Sequence, residues 1–234
     1  MKKYLKKLNK KQIEAVNHYK GPCMVLAGPG TGKTTIIINR ITNLIKKYSV
    51  NPQNILVVTF TKAASKEMEK RLFAAQEVKK SYKEVTFGTF HSIFFRILKE
   101  YKGYKLEGLI KEQEKNRIIK SIIVRQGYGF FEDEQTVEGI IRELSYINNA
   151  LIDSNNYTPT SCKKARFEDI DKEYKRYKKR KNAFDYDDMI THCYKLLMND
   201  DMVLKELRDK YNYILIDEFQ DINIAQFKTI RLIA

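Results

Sequence analysis

The chain alternates short runs that are apolar at nearly every position with longer stretches in which apolar residues recur every three or four. Cys23-Met24-Val25-Leu26, Ile55-Leu56-Val57-Val58-Thr59 and Tyr213-Ile214-Leu215-Ile216 are of the first kind. Such runs read as strands covered on both faces, the pattern of a parallel sheet. Val85-Thr86-Phe87-Gly88 reads as a shorter strand of the same design. Leu8, Gln12, Ile13 and Val16 mark a short helix, closed by Gly21-Pro22. Ile37, Ile41, Leu44 and Ile45 mark a second, predicted to end near Tyr48, before Asn51-Pro52. A third places Met68 and Leu72 inward, and a fourth contains Ile93, Phe94 and Ile97.

From residue 99 to 181 the strands stop and helical, polar segments take over: 111–125, 138–150 and a basic tract at 172–181, with a loop at 155–160 broken by Pro159. Ala183-Phe184-Asp185-Tyr186-Asp187-Asp188 then gathers three carboxylates ahead of an apolar helix through Tyr194 and Leu197. Aspartate at a helix start caps N–H groups, which suffices for at least one of them. The pattern predicts an α/β fold with a parallel sheet, built from 1–98 and 186–234 and interrupted by an all-helical insertion, 99–185.

Composition narrows the partners. With 44 Lys and Arg against 29 Asp and Glu the net charge is +15, which favours a polyanion such as nucleic acid. The Lys-, Ile- and Asn-rich bias is also one that genome composition alone produces. Lys2, Lys3, Lys6, Lys7, Lys10 and Lys11 open the chain where a signal peptide would need an apolar core, and no run approaches membrane-spanning length. Three cysteines without CxxC spacing speak against a disulfide framework and a zinc site. A soluble, cytoplasmic protein is the expectation. The tract 172–181 interleaves Tyr174 and Tyr177 with cations, either a phosphate-tracking surface or a solvated basic helix.

The chemistry concentrates at strand ends, where ligands of parallel sheets collect. Ala27-Gly28-Pro29-Gly30-Thr31-Gly32-Lys33-Thr34, followed by Thr35, lies between a predicted strand and a predicted helix. That is the context in which a Walker A sequence binds phosphate, with Ala27 standing where the strict pattern has glycine. Glycines let successive N–H groups line one concave nest at a helix N-terminus. Lys33 reaches the outer phosphates and the Thr34 hydroxyl suits Mg²⁺. Asp217, at the tip of an apolar strand, fits the Walker B role, and Glu218 can take a proton from attacking water. The Gln12 amide can pair with the N6/N7 edge of adenine, although an ordinary polar helix position explains it as well. Phe60 can stack on a base or sit in the core, and the hydroxyls of Thr59 and Thr61 on either side can hydrogen-bond phosphate; Thr89 and His91 lie at a similar edge, suited to a phosphodiester backbone.

LNKKQIEAV, AGPGTGKT, VVTFTKAASKEMEKRL, FGTFHSIFFRIL, NAFDYDDMI and ILIDEFQD occur in the order and rough spacing of the UvrD/Rep/PcrA-type superfamily 1 DNA helicases, which the chain resembles along nearly all its length. The resemblance implies a first RecA-like domain with a helical insertion, binding ATP and Mg²⁺ and gripping single-stranded DNA at duplex junctions. By position, Gln12 matches the adenine-reading glutamine and Arg40 the arginine flanking the nucleotide. Lys33 and Thr34 match the Walker A pair, and Asp217 and Glu218 the metal-binding and general-base carboxylates. Phe60, Thr89 and His91 fall on strand-contacting positions. Lys62-Ala63-Ala64-Ser65 departs from the usual Asn-Lys-Ala-Ala. A second RecA-like domain, supplying transition-state arginines, is the expected partner, and these 234 residues by themselves are expected not to unwind DNA. A non-catalytic nucleotide- and DNA-binding module and a helicase–nuclease subunit are the alternatives.

Overall fold

The computed structural model describes residues 8–74, 80–127 and 134–234; the basic start of the chain lies outside them. In chain order the elements are α1 (Lys10–Asn17), α2 (Lys33–Lys47), β1 (Ile55–Thr59), α3 (Lys62–Ala74), β2 (Thr86–Thr89), α4 (Phe90–Lys102), α5 (Glu112–Arg125), α6 (Glu134–Ala150), α7 (Lys164–Lys181), α8 (Tyr186–Asn199), α9 (Asp201–Lys210), β3 (Tyr213–Ile216) and α10 (Ile224–Ile233). Two compact units result. One is Met1–Phe90 with Lys205–Asp221 and Ile233–Ala234; the other is His91–Leu204 with Ile222–Leu232.

The first unit holds a three-stranded parallel sheet in the order β2-β1-β3. β1 is central and buried at all five positions, as its continuous apolar run requires. Ile38, Ile41 and Leu44 of α2 and Met68 and Leu72 of α3 form one core cluster with Ile55 and Val57. The register pairs Thr59 with Thr89, so β1 and β2 end level, and the Asp217 N–H donates to Val58 O (3.0 Å), extending the β3 ladder by one residue. α1 is closed by a capping box at Asn9, whose side chain accepts from the Gln12 N–H (2.9 Å) while Gln12 Oε1 accepts from the Asn9 N–H (2.9 Å).

One predicted element is corrected. Residues 23–26 join no sheet: Met24 is 73 % and Leu26 89 % exposed. A strand beside β3 would itself be the sheet edge, with an open ladder on its far side. β3 already shows that situation, being only half-buried. An apolar run between prolines therefore stays unpaired.

The second unit is helical. Ile118, Ile119, Ile122 and Ile123 of α5, Ile140, Ile141, Leu144 and Ile147 of α6, and Phe167, Ile170 and Tyr174 of α7 make its core. Beside that core lies a buried ionic cluster. Lys115 is only 2 % exposed, and its Nζ donates to Asp187 Oδ2 (2.6 Å) and Ser145 Oγ (2.7 Å). Lys178 donates to Asp188 (2.8 Å) and Asp185 (3.3 Å), and the Tyr174 hydroxyl donates to Asp185 (2.9 Å). Asp185 is also the N-cap of α8, exchanging side chain–backbone bonds with Asp188. Burial works to raise the Asp185 pKa, but Lys178, Lys115 and these hydrogen bonds together hold it below the ordinary value. For Lys115, burial is likewise outweighed by Asp187 and Asp185, and its pKa is raised.

Within 172–181 the tyrosines do not share the exposed face with the cations. Tyr174 and Lys178 point inward, Tyr177 packs on the core, and Lys175 and Arg176 pair with Asp171 and Glu173. What remains exposed is a basic helix face.

A loop also closes onto α6. The Glu143 carboxylate accepts from the Thr160 N–H (2.7 Å) and hydroxyl (2.8 Å), from the Ser161 N–H (3.3 Å) and hydroxyl, and from Tyr157 (3.3 Å). One turn earlier Gly139 lets the loop approach, since an added Cβ there would stand 2.8 Å from Ser161 Cβ.

Candidate functional site

The loop before α2 is shaped by its own short polar residues and glycines. Gly28 O accepts from the Thr31 hydroxyl (2.7 Å) and from the Thr31 N–H (3.4 Å), which tightens the turn. Gly30 and Gly32 have φ of 71° and 90°, a region that L side chains avoid. Gly32 is the N-cap of α2 and, having no side chain, gives no cap bond. The first-turn N–H groups of a fifteen-residue helix are thus left for a ligand, with the positive end of the helix dipole behind them. The loop and helix start have the geometry an anion cradle requires, with Lys33 and Thr34 in the first turn of α2.

Lys33 Nζ lies 3.8 Å from Glu218 Oε1. The residues come from opposite ends of the sequence and only the sheet brings them together. Asp217 is buried, and burial, then the neighbouring Glu218 charge, raise its pKa above the ordinary aspartate value, with Lys33 acting in the other direction. Glu218 has φ of 50°, unusual for a residue with a side chain, and its other carboxylate oxygen accepts from Gln220 Nε2 (2.7 Å). Gln220 belongs to the ILIDEFQD segment, and its grip on Glu218 depends on the turn that follows β3.

Gln12 and Arg40 both use planar donors on this loop's surroundings. Gln12 Nε2 donates to Thr31 O (3.0 Å), tying α1 to the cradle. Arg40 donates to Ala15 O (2.9 Å) and His18 O, closing the carboxyl end of α1, and burial lowers its pKa. Ala27, Pro29 and Thr35 lie on the cradle's backbone, Thr35 giving its carbonyl to Asn39.

At the neighbouring strand ends the expectation for Thr59 is corrected: it is fully buried and its hydroxyl donates to Thr61 O (3.0 Å), so it is closed to a phosphate. The Thr61 hydroxyl caps α3 by accepting from the Ala64 N–H (3.1 Å). Between them Phe60 is turned out, 44 % exposed, its ring edge-on to Phe90 at 6.3 Å. Thr89 is buried at the end of β2. His91, in the second unit, is edge-on to Tyr186 at 5.6 Å, and burial lowers its pKa.

Lys115 and Lys178 are buried cations that charge patterning alone does not single out. The available signal was that each stands on an apolar stripe, Lys115 with Ile118, Ile119 and Ile122, and Lys178 with Phe167, Ile170 and Tyr174. A charge at such a place demands a buried partner.

Comparison with known proteins places the whole described chain in one family. The model of the UvrD/REP helicase N-terminal domain matches residues 8–234. The chain is 33 % identical over 233 residues to YjcD of Bacillus subtilis (strain 168), covering 97 % of this chain and 30 % of that protein. It is 33 % identical over 232 residues to the ATP-dependent DNA helicase Rep of Buchnera aphidicola subsp. Baizongia pistaciae, covering 97 % and 34 %. To DNA helicase II of Rickettsia typhi (strain ATCC VR-144 / Wilmington) it is 32 % identical over 242 residues, covering 99 % and 36 %. The chain spans about a third of the length of these curated relatives.

Proposed function

The chain belongs to the UvrD/REP helicase N-terminal domain family, and from that premise we propose that it is the ATP-binding part of an ATP-dependent DNA helicase, coupling hydrolysis to movement along single-stranded DNA. The observation that carries this reading is Lys33 facing Glu218 across 3.8 Å at the carboxyl edge of a parallel sheet. A phosphate-binding cation and a proton-accepting carboxylate on two separate elements are what nucleotide hydrolysis needs in one place.

ATP enters as substrate. Its phosphates take over Lys33 from Glu218 and settle on the N–H groups of residues 30–35, with Thr31 and Thr35 flanking the cradle. Freed from the lysine but still held by Gln220, Glu218 takes the proton of the attacking water. Gln12, released from Thr31, reads the adenine edge, and Arg40 flanks the nucleotide. The donor set also suits Mg²⁺: a hydroxyl at Thr34 and a carboxylate at Asp217 are hard oxygen ligands, and Asp217 sits in a field that an added cation would relieve. Bound there, Mg²⁺ would neutralise charge on the phosphates.

In the same reading the exposed Phe60 ring stacks on bases, Thr61, Thr89 and His91 contact the strand, and the buried Thr59 shapes the loop. The RecA-like lobe comprises 1–98 and 186–234 with 99–185 inserted; α4, α8 and α10 belong to it by chain order although they cluster with the helical unit. A carboxyl-terminal RecA-like domain completes the ATP cleft, and the protein works on DNA in the cytoplasm. DNA-stimulated ATP hydrolysis by the full-length protein tests the assignment: Glu218→Gln should lower kcat by roughly 10²–10⁴, and an undiminished rate overturns it.

A further inference from the structure

The carboxyl end of α1 is closed by side chains of α2 and its C-cap. A helix leaves its last carbonyls without partners of its own, and here those of Ala15, Val16, Asn17 and His18 each accept a donor from the neighbouring helix. Arg40 donates to Ala15 O (2.9 Å) and to His18 O, Asn43 Nδ2 to Val16 O (3.0 Å), and the Tyr48 hydroxyl to Asn17 O (3.1 Å). Asn43 Nδ2 also reaches Asn17 Oδ1 (3.3 Å), where Lys47 donates too (3.2 Å). Positions 40, 43 and 47 follow the three- and four-residue spacing of one helix face. Asn43 is only 7 % exposed, and the Tyr48 ring lies flat on Tyr19 at 3.9 Å, just past the end of α1. All of these residues belong to the first unit.

Near its other end α1 carries Gln12 beside the cradle, where a Cβ at Gly32 would stand 3.3 Å from Gln12 Nε2. Gln12 ties that end to the loop through Thr31 O, the bond that reading a base would take away. From then on the register of α1 against the cradle hangs on the clamp at residues 15–18 and on the buried Val16. Cradle and clamp share one helix: Lys33 opens α2 and Tyr48 caps it, about 22 Å further along a rod that rises 1.5 Å per residue. We propose that Asn43 and Tyr48 are positioning residues for Gln12 and set the preference of the site for adenine over guanine. The inference rests on Gln12 reading the base. The Asn9 N–H, donating to Gln12 Oε1 (2.9 Å), fixes which end of the amide is oxygen. So oriented, the amide meets the N6 donor and N7 acceptor of adenine, whereas guanine sets a second acceptor, O6, against Oε1. That discrimination depends on where the amide stands, so loosening the clamp lets the preference fall.

The test uses the full-length protein and three probes: a non-hydrolysable ATP analogue, the matching GTP analogue, and inorganic tripolyphosphate, which fits the cradle without a base. Melting temperature is read beside them. Asn43→Asp exchanges the donor to Val16 O and Asn17 for an acceptor, and Tyr48→Phe keeps the ring on Tyr19 while removing the donor to Asn17 O. Asn43→Asp should lower the ratio of ATP to GTP affinity at least about fivefold and Tyr48→Phe about threefold. Tripolyphosphate affinity should stay within about twofold of wild type, because the cradle is untouched. Gln12→Ala, which removes the reader itself, should lower the ratio roughly 5- to 150-fold. A wild-type ratio in either folded variant removes that residue from the role, and in both it overturns the inference. So does a fall in the ratio matched by an equal loss of tripolyphosphate affinity, which would make the clamp a support of the whole cradle. Should Asn43→Asp fail to fold, Tyr48→Phe decides. If Gln12→Ala keeps the wild-type ratio, the base-reading assignment falls and the clamp's role with it; if Gln12→Ala loses the preference and the clamp variants keep it, only the positioning role falls.

Discussion

Lys33 and Glu218 are each other's counter-ion, with Nζ 3.8 Å from Oε1 and both side chains partly open to water. Such a pair is worth about 0–1 kcal/mol, so a phosphate displaces it easily. Lys33→Ala should therefore leave stability within about 1 kcal/mol of wild type while weakening ATP binding at least roughly tenfold, the loss of one charge-assisted contact. Equilibrium titration with a fluorescent ATP analogue measures this; unchanged affinity would remove Lys33 from the phosphate site.

The backbone of Glu218 makes a second prediction that does not depend on catalysis. At φ of 50° a side chain costs about 1–2 kcal/mol relative to glycine. Both Glu218→Gly and Glu218→Ala remove the carboxylate, but the glycine variant should be the more stable by about 1 kcal/mol in urea melts. The reverse order would mean that no strain is held there.

Phe60 separates a surface role from a core one. Because it is 44 % exposed, Phe60→Ala should change stability little, yet single-stranded DNA affinity should fall by about 1–3 kcal/mol if bases stack on it. The comparison belongs at one fixed salt concentration, since the electrostatic part of binding shifts with it. A stability loss with unchanged affinity would return Phe60 to the core.

Lys178→Ala should be severe. It would take from the buried Asp185 and Asp188 the lysine that pairs with both, leaving Lys115 to Asp187 and Asp185. Breaking a buried pair in this way costs about 3–5 kcal/mol, visible as a fall in melting temperature. A change below about 1 kcal/mol, the size of a surface pair, would mean the cluster is hydrated.

Glu143 gives a pH-dependent case. Burial works to raise its pKa, but hydrogen bonds from Ser161 and Thr160 outweigh it, and the folded-state pKa is lowered. Its contribution is therefore present above the unfolded-state pKa and disappears as pH falls through the folded one. Glu143→Gln should cost about 1–2 kcal/mol at neutral pH, the site being partly open to water. The gap to wild type should close in acid; a pH-independent gap would point to packing.

The elements that bury a periodic face were legible in the chain: α2, β1, α3, β2, α4 and β3 stand where their apolar positions put them. The segment 23–26 did not follow its pattern because a strand needs a neighbour and a cover, and neither is a local property. Lys33 and Glu218 were recognisable one by one, but their juxtaposition belongs to the sheet register. The ionic cluster was hidden for the opposite reason. Lys178 looks like one more cation in a basic tract until the face of α7 that carries it is seen to be the Phe167–Tyr174 face.

Gly139 and Ser161 carry a consequence for how this sequence can drift. The loop reaches Glu143 only because position 139 has no side chain, and a Cβ there would meet Ser161 Cβ at 2.8 Å. Alanine at 139 would improve α6 as a helix by about 1 kcal/mol, yet it is admissible only if position 161 gives up its own Cβ. The two positions, far apart in the chain, can change only in company, and a lineage that gains a side chain at one should show a glycine at the other.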